Sequence, residues 1–424
     1  MTRALLLMSL LSCVLAPLRL GAQEAAIPGH LSLADAIRLA EQHNPALAVA
    51  RQESALARAD VIAARQRPNP VFEAGSDGYR PGASGGFADG QELSLQVSQE
   101  LEIGGRRAAR GRVAGAGLAA ADATLDDVVR QVRWQVGRAY FGLVGARAEA
   151  AAAAVALEEI DRVIAVNRAR YEQGEVSGGE LRRLEVERLR FADDALAAEL
   201  ATRQATSELR AMLGSRDLDQ PLDPVEGLAA PPGTAGVPRA SDLRALALEN
   251  RSDLASLRHE QARARADQQL QLALRRPAPT LTGGYKRDFG DSGVIVGLSI
   301  PLPVFDRNAA GVARADTTAR LADARLRQAE AAVAVEVQQA VDGVSISRRR
   351  LDAIEHDYLA RARAALDSMA AAYRAGEADL IDFLDAQRAF RDVQRAHTRA
   401  QVDLRLSLFA LQTAIGALPG DPRS

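Results

Sequence analysis

The stretch YRAGEADLIDFLDAQ, residues 373–387, sets Asp379, Asp382 and Asp385 three residues apart. Carboxylates at that spacing suit three kinds of chemistry. The paired acids of a hydrolase divide proton transfer between them. Acids arranged around a pore attract and filter cations. An acid at a helix start accepts hydrogen bonds from free N–H groups of the first turn and faces the positive end of the helix dipole. The spacing alone leaves all three open.

Little else in the chain suggests catalysis. The five histidines, His30, His43, His259, His356 and His397, are scattered and lack metal-ligand spacing to cysteines or acids. Asp352, Glu355, His356 and Asp357 cluster in helical text and read as a polar patch between helices or toward solvent. No G-x-S-x-G, no H-E-x-x-H and no Gly-rich phosphate loop occurs. Gly104-Gly105 reads as a strand-to-helix bend. The expectation is therefore no enzyme, no catalytic residue, no bound metal and no cofactor.

The elements that carry the acids are helical. Aromatics make up 4% of the 424 residues, with Trp134 the single tryptophan, while Ala, Leu, Arg, Glu and Gln dominate. That is the alphabet of long helices packed at close range. The net charge is −2 and basic residues interleave with acids, so no basic surface for nucleic acid is expected.

MTRALLLMSLLSCVLAPLRLGAQEAA opens with basic Arg3, runs apolar from Ala4 to Leu15 and reaches small Gly21 and Ala22. This predicts a signal peptide over 1–22 and export from the cytoplasm. The only cysteine, Cys13, lies inside it. Leu11 is an unusual residue for a lipidation signal, so Cys13 is not assigned a lipid. The mature chain then has no disulfide or thiol chemistry. Beyond the signal no run of about 18 apolar residues appears, which predicts no transmembrane helix.

The rest is one unit written twice. LADAIRLAEQHNPALAVARQESALARAD (33–60) aligns with ASDLRALALENRSDLASLRHEQARARAD (240–267), placing Asp35 on Asp242, Leu47 on Leu254 and Asp60 on Asp267. YEQGEVSGGELRRLE (171–185) aligns with YRAGEADLIDFLDAQ (373–387), and Met212-Leu213-Gly214 with Ala414-Ile415-Gly416. The first repeat spans 23–214 and the second 239–416, with a tail over 417–424. The join, 215–238, is rich in Pro and Gly and reads as a non-helical linker.

Each repeat predicts the same order of elements. A helix of about 35 residues comes first, over 32–67 with Ser32 as its N-cap in the first repeat. Arg-Pro ends it in both copies, at Arg67-Pro68 and Arg276-Pro277. Next comes a β-hairpin, over about 70–102 and about 279–303. Leu93, Leu95 and Val97 alternate with Ser94, Gln96 and Ser98, and Val294, Val296 and Leu298 alternate with smaller neighbours. Period two makes one face of each strand apolar. Gly-rich YRPGASGGFADGQ and FGDSG read as hairpin loops. Long helices fill about 105–213 and about 308–415, turning back at Gly174 and Gly376. Leu326, Val333, Val337, Ala340, Val344, Leu351, Ile354, Tyr358, Ala362, Leu366, Met369 and Tyr373 fall at steps of mostly three and four, an apolar seam along one helix on the order of 100 Å long.

Four apolar-faced strands per chain pose a problem of closure. Strands facing lipid must form a closed barrel, because unpaired backbone groups in hydrocarbon are too costly. Bacterial barrels begin at about eight strands, so several chains must share one; three would supply about 12 strands.

The duplicated layout, the opening LSLADAIRLAEQHNPAL, the RPNP before the first strand, QELEIGGRRAAR after the second and the two Y-x-x-G turns resemble the TolC family of outer-membrane channels. RPNP followed by QELEIGGRRAAR is most similar to the CzcC-like branch, which serves heavy-metal pumps of the resistance–nodulation–division type. The resemblance implies a mostly α fold with a small β part: a homotrimeric α-barrel tunnel in the periplasm, joined to a shared transmembrane β-barrel of about 12 strands. It implies an outer-membrane efflux duct for heavy-metal cations, partnered by a periplasmic adaptor, an inner-membrane pump and outer-membrane lipid. A duct for drugs or type I secretion, or a periplasmic coiled-coil adaptor, stands as the alternative.

The same resemblance assigns residues. Asp382 and Asp385 fall on the acids that close the family's tunnel at its periplasmic end, and Asp379 reads as a helix cap beside the tip. Tyr171, Gly174, Tyr373 and Gly376 mark hairpin tips facing the adaptor. Leu93, Leu95, Val97, Val294, Val296 and Leu298 would face lipid. Family members hold the closed mouth with a basic residue shortly after the glycine. Here Glu377-Ala378 stands in that place, which leaves Arg182, Arg183 and Arg374 as candidate locks.

Overall fold

The computed structural model describes residues 27–77, 92–229, 239–288 and 291–417. The signal segment with Cys13, the whole first hairpin loop, residues 289–290 of the second, part of the linker and all but the first residue of the tail lie outside the described residues. The first repeat contains β1 (His30–Leu31), α1 (Leu33–His43), α2 (Pro45–Arg65), β2 (Val71–Asp77), β3 (Glu92–Glu100), α3 (Arg106–Glu172) and α4 (Gly178–Met212). After β4 (Asp223–Pro224) in the linker, the second repeats the order with α5 (Ala240–Asn250), α6 (Ser252–Leu274), β5 (Thr280–Asp288), β6 (Asp291–Ser299), α7 (Ala309–Ala353), α8 (Leu359–Ala375) and α9 (Leu380–Ala414).

The opening helix of each repeat is two helices rather than one. Asn44 is extended and its side chain accepts from the Ala46 N–H at 2.9 Å, while Pro45, lacking an N–H, starts α2. No proline stands at the matching break in the second repeat, yet Arg251 is equally extended. Tertiary contacts hold both breaks. Asn44 Nδ2 donates to the Met212 carbonyl at 2.9 Å, and Arg251 Nη1 to the Ala414 carbonyl at 3.2 Å. The returning helices end beside the breaks at Gly214 and Gly416, with φ of +76° and +74°. A Cβ on Gly214 would lie 2.4 Å from the His43 carbonyl oxygen.

The helix over 309–375 is also less regular than its sequence predicts. A π-helical turn, Ile354–Tyr358, separates α7 from α8, with the Leu359 N–H bonding to the Ile354 carbonyl. The wider turn carries an extra residue, so the seam slips: Leu351 and Ile354 stay buried and Tyr358 is 59% exposed. The cluster around Glu355 sits on this turn, and Glu355 pairs with His397 of α9 at 3.0 Å.

α3 is the central helix of the first repeat, packing on α1, α2, α4, α6 and α9. Val132, Val136, Tyr140 and Leu143 are buried there with Leu31, Leu47, Leu209 and Phe409. By length and composition one window of α3 is apolar enough to cross a membrane, and 39% of that window is buried within the chain. Near the repeat junction β1 and β4 pair in parallel. The Tyr140 hydroxyl donates to the Leu31 carbonyl at 3.0 Å and also bonds Glu226, whose carboxylate accepts from the Leu33 N–H at 3.0 and 3.1 Å. Glu226 of the linker thus caps α1. Burial first, then the Glu226 carboxylate, pushes the Tyr140 hydroxyl far above its ordinary pKa.

Candidate functional site

The two hairpins form one antiparallel sheet in the order β2-β3-β5-β6, and the β3–β5 pairing joins the repeats. Residues directly opposite each other in a sheet share a face. Phe72 faces Val97, Ala74 faces Leu95, Leu95 faces Tyr285, and Tyr285 faces Val294; Val296 lies opposite Gly283 and Leu298 opposite Leu281. The pairings place Leu93, Leu95, Val97, Val294, Val296 and Leu298 together on that face. It is apolar and uncovered, Val296 being 81% exposed. The other face carries Glu73, Ser94, Gln96, Ser98, Thr280, Thr282 and Lys286. Among the described residues, no strand pairs with the outer edge of β2 or of β6. The sheet is open at both sides and does not close on itself.

At the far end of the helices lie two tips built alike. Gly174 and Gly376 both have φ of +77°, a conformation that glycine adopts without strain. The N–H after each glycine reaches back five residues, from Glu175 to the Arg170 carbonyl and from Glu377 to the Ala372 carbonyl, each at 2.9 Å. This six-residue closure ends α3 and α8 and sends the chain into α4 and α9. Ser177 opens α4 with a reciprocal cap: its hydroxyl accepts from the Glu180 N–H and Glu180 accepts from the Ser177 N–H. Asp379 stands at the N-cap position of α9 with extended backbone, but its side chain accepts no bond from the first turn.

The tyrosines of the two turns differ. Tyr171 is exposed, whereas Tyr373 is 9% exposed and turns inward. Its ring stacks on Phe383 at 5.4 Å between centroids, and its hydroxyl donates to Asn167 Oδ1 of α3 at 2.7 Å. Burial raises its pKa. The Tyr373 side chain is therefore packed inside the tip. It fastens the second tip to the first.

Asp379, Asp382 and Asp385 are all exposed. Asp385 is ion-paired, with Arg388 Nη1 at 3.0 Å. Arg388 Nε also reaches Glu187 of α4 at 3.1 Å, and that hydrogen bond raises the guanidinium pKa. Glu187 is buried and takes a second arginine, Arg190, at 3.2 Å. Two turns further along α4, Asp194 holds Arg391 at 3.1 Å and Arg395 at 2.7 Å, with Arg391 lying 3.9 Å over the Phe191 ring. Among the described residues, Arg182 and Arg374 bond to carbonyls of their own helices, at Gly178 and Ala370. The cation paired with Asp385 is thus Arg388, which the sequence reading passed over. Its three-residue spacing from Asp385 was the available signal. Among the described residues, no group of three or more His, Cys, Asp or Glu side chains could hold a metal ion.

The arrangement joins an uncovered apolar sheet with open edges to long helices that end in a charged tip. Known proteins share this fold. The family described as outer membrane efflux protein matches residues 36–215 and 243–417, one segment in each repeat. The cobalt-zinc-cadmium resistance protein CzcC of Cupriavidus metallidurans is 26% identical over 362 residues, covering 85% of this chain and 84% of its own. The outer membrane protein VceC of Vibrio cholerae superimposes with a TM-score of 0.77 at 20% identity, over 91% of this chain and 96% of its own. CusC, crystallised in work on transmembrane channel formation, gives 0.76 at 20% identity, over 91% and 92%.

Proposed function

Because this chain belongs to the outer membrane efflux protein family, we propose that it is the passive exit duct of a tripartite pump that expels heavy-metal cations. The observation that carries this reading is the sheet. One apolar face, one polar face and two unpaired edges in a single chain leave backbone groups unsatisfied until further copies complete the ring. Three chains would close a barrel of about 12 strands. Leu93, Leu95, Val97, Val294, Val296 and Leu298 would then face outer-membrane lipid, and the polar face would line the channel. The helices would extend that channel into the periplasm after removal of residues 1–22. The tips at Gly174, Tyr171 and Gly376 would meet a periplasmic adaptor, which in turn joins an inner-membrane resistance–nodulation–division pump.

Within that assembly Asp382 and Asp385 form the periplasmic constriction. Both are exposed on the first two turns of α9, and three copies around one axis would focus a negative potential there. Such a mouth favours cations and repels anions. Heavy-metal cargo is supported by the similarity to a cobalt-zinc-cadmium resistance protein. The duct itself reads charge and width, and the pump selects the ion upstream.

The test has two arms. Cell fractionation should place the protein in the outer membrane, released by detergent only; recovery in the soluble periplasm would sink the channel reading. Deletion of the gene should lower the inhibitory concentrations of cobalt, zinc and cadmium and leave those of common drugs unchanged. Sensitivity to drugs alone would leave the duct standing and remove the metals.

A further inference from the structure

Where the sheet meets the helices, an open cleft of about 880 Å³ is bounded by the end of α2, the last residues of β3 and the first turns of α3. Four exposed arginines line it: Arg65, Arg67, Arg107 and Arg112. Its two carboxylates each pair with an arginine outside these four, Glu102 with Arg110 and Glu100 with Arg106 at 3.8 Å, and Glu102 Oε2 is buried without a hydrogen-bond partner. Among the described residues, none of the four guanidinium groups has a carboxylate within ion-pair distance. Four like charges around one cleft repel each other unless an anion joins them.

The cleft lies at the end of the sheet and meets both of its faces. Gln99 of its lining falls on the face of Leu95 and Val97, which is apolar and uncovered, and Glu100 on the other. Leu101 and Ile103 are exposed beside the arginines. Charge and apolar surface thus lie next to each other at the edge of the sheet face, the combination that a lipid headgroup region meets. A planar guanidinium matches two phosphate oxygens at once, and basic residues beside a bilayer are drawn to anionic headgroups.

We propose that this cleft binds the phosphodiester headgroups of anionic phospholipids in the membrane leaflet nearest the helices. The proposal rests on the channel reading above. Bound lipid would fix the depth at which the sheet sits and the angle at which the helices leave the membrane.

The full chain, purified from membranes in mild detergent, is offered phosphatidylglycerol and phosphatidylethanolamine in equal amounts, and the retained lipid is weighed by native mass spectrometry. The wild type should favour phosphatidylglycerol by roughly tenfold or more. Combined Arg65→Gln, Arg67→Gln, Arg107→Gln and Arg112→Gln should bring that ratio to about one, with the oligomer and its β-structure signal intact. An unchanged ratio in the variant would overturn the proposal, as would displacement of the lipid by inorganic phosphate, the mark of a free-anion site. Loss of the oligomer in the variant would also overturn it, assigning the arginines to contacts between copies. Wild-type protein that stays in membranes yet shows no lipid preference defeats this inference alone. Wild-type protein found soluble without detergent defeats the channel reading and this inference with it.

Discussion

Arg388 Nη1 lies 3.0 Å from Asp385 Oδ1, so the second of the two tip acids is ion-paired within its own helix. The same guanidinium holds Glu187 of α4 at 3.1 Å. Asp382, three residues earlier, is exposed and makes no such pair with Arg388. The two acids are therefore unequal: one offers its full charge to the solvent, the other shares it with a cation that also ties α9 to the first repeat.

This inequality gives opposite signs to two variants. Asp382→Ala with Asp385→Ala should raise single-channel conductance in planar bilayers and weaken block by multivalent cations. Arg388→Gln should strengthen that block, because it frees the Asp385 charge. It should also cost about 1–3 kcal/mol of stability, since buried Glu187 keeps only Arg190. Equal block in all three proteins would remove these residues from the pore.

The sheet face offers a test of membrane insertion. Val296→Arg, midway along β6 on the exposed apolar face, should cost about 2–4 kcal/mol if that position lies at the bilayer midplane. Folding into vesicles, followed by protease protection, would show the loss. Ile295→Arg, on the opposite face, should be tolerated.

Tyr373→Phe removes the hydroxyl that reaches Asn167 and keeps the ring on Phe383. Asn167 Oδ1, in a residue 2% exposed, loses that partner at a cost of about 1–3 kcal/mol. Chemical denaturation should report this, and faster proteolysis at the tip should accompany it.

Gly214→Ala forces a side chain into left-handed backbone and against the His43 carbonyl, and Gly416→Ala meets Asn250 in the same way at 3.0 Å. Each should destabilise by more than about 1 kcal/mol. Gly115→Ala, inside α3 with open space around it, should be neutral or stabilising in the same denaturation assay.

Asp253 supplies a pH dependence. Burial pushes its carboxyl up, but the hydrogen bonds and charge of Arg251, the charge of Arg130 and the Leu254 N–H outweigh burial and hold it below the ordinary range. A depressed folded-state pKa adds stability that is present above the unfolded value, about 3.9, and is lost as pH falls through the folded value. The stability gap between wild type and Asp253→Asn should therefore be constant near neutrality and shrink below about pH 4. A gap that widens on acidification would reverse the assignment.

Much of this was legible in the chain. Duplication, the alternation of Leu93, Leu95 and Val97, and the turn glycines Gly174 and Gly376 are written locally, because strand period and left-handed backbone depend on residues close in sequence. The break at Asn44-Pro45 was visible as well and was overrun by the helical text on either side. Arg251 carries no such local sign. Its break follows from packing, through Glu336 at 2.7 Å and the Ala414 carbonyl.

The sequence by itself determined the order of helices and hairpins and which side of each strand is apolar. Tertiary structure decided which chemical groups meet. Tyr373 finds Asn167 across 206 residues, and Arg388 finds Glu187 across 201. Such partners are chosen by the packing of one repeat on the other, where a buried donor or charge must be matched by whatever the facing helix supplies. For that reason a tyrosine that marks the tip in the sequence also serves as an internal fastening, and one of two similar aspartates shares its charge with an arginine.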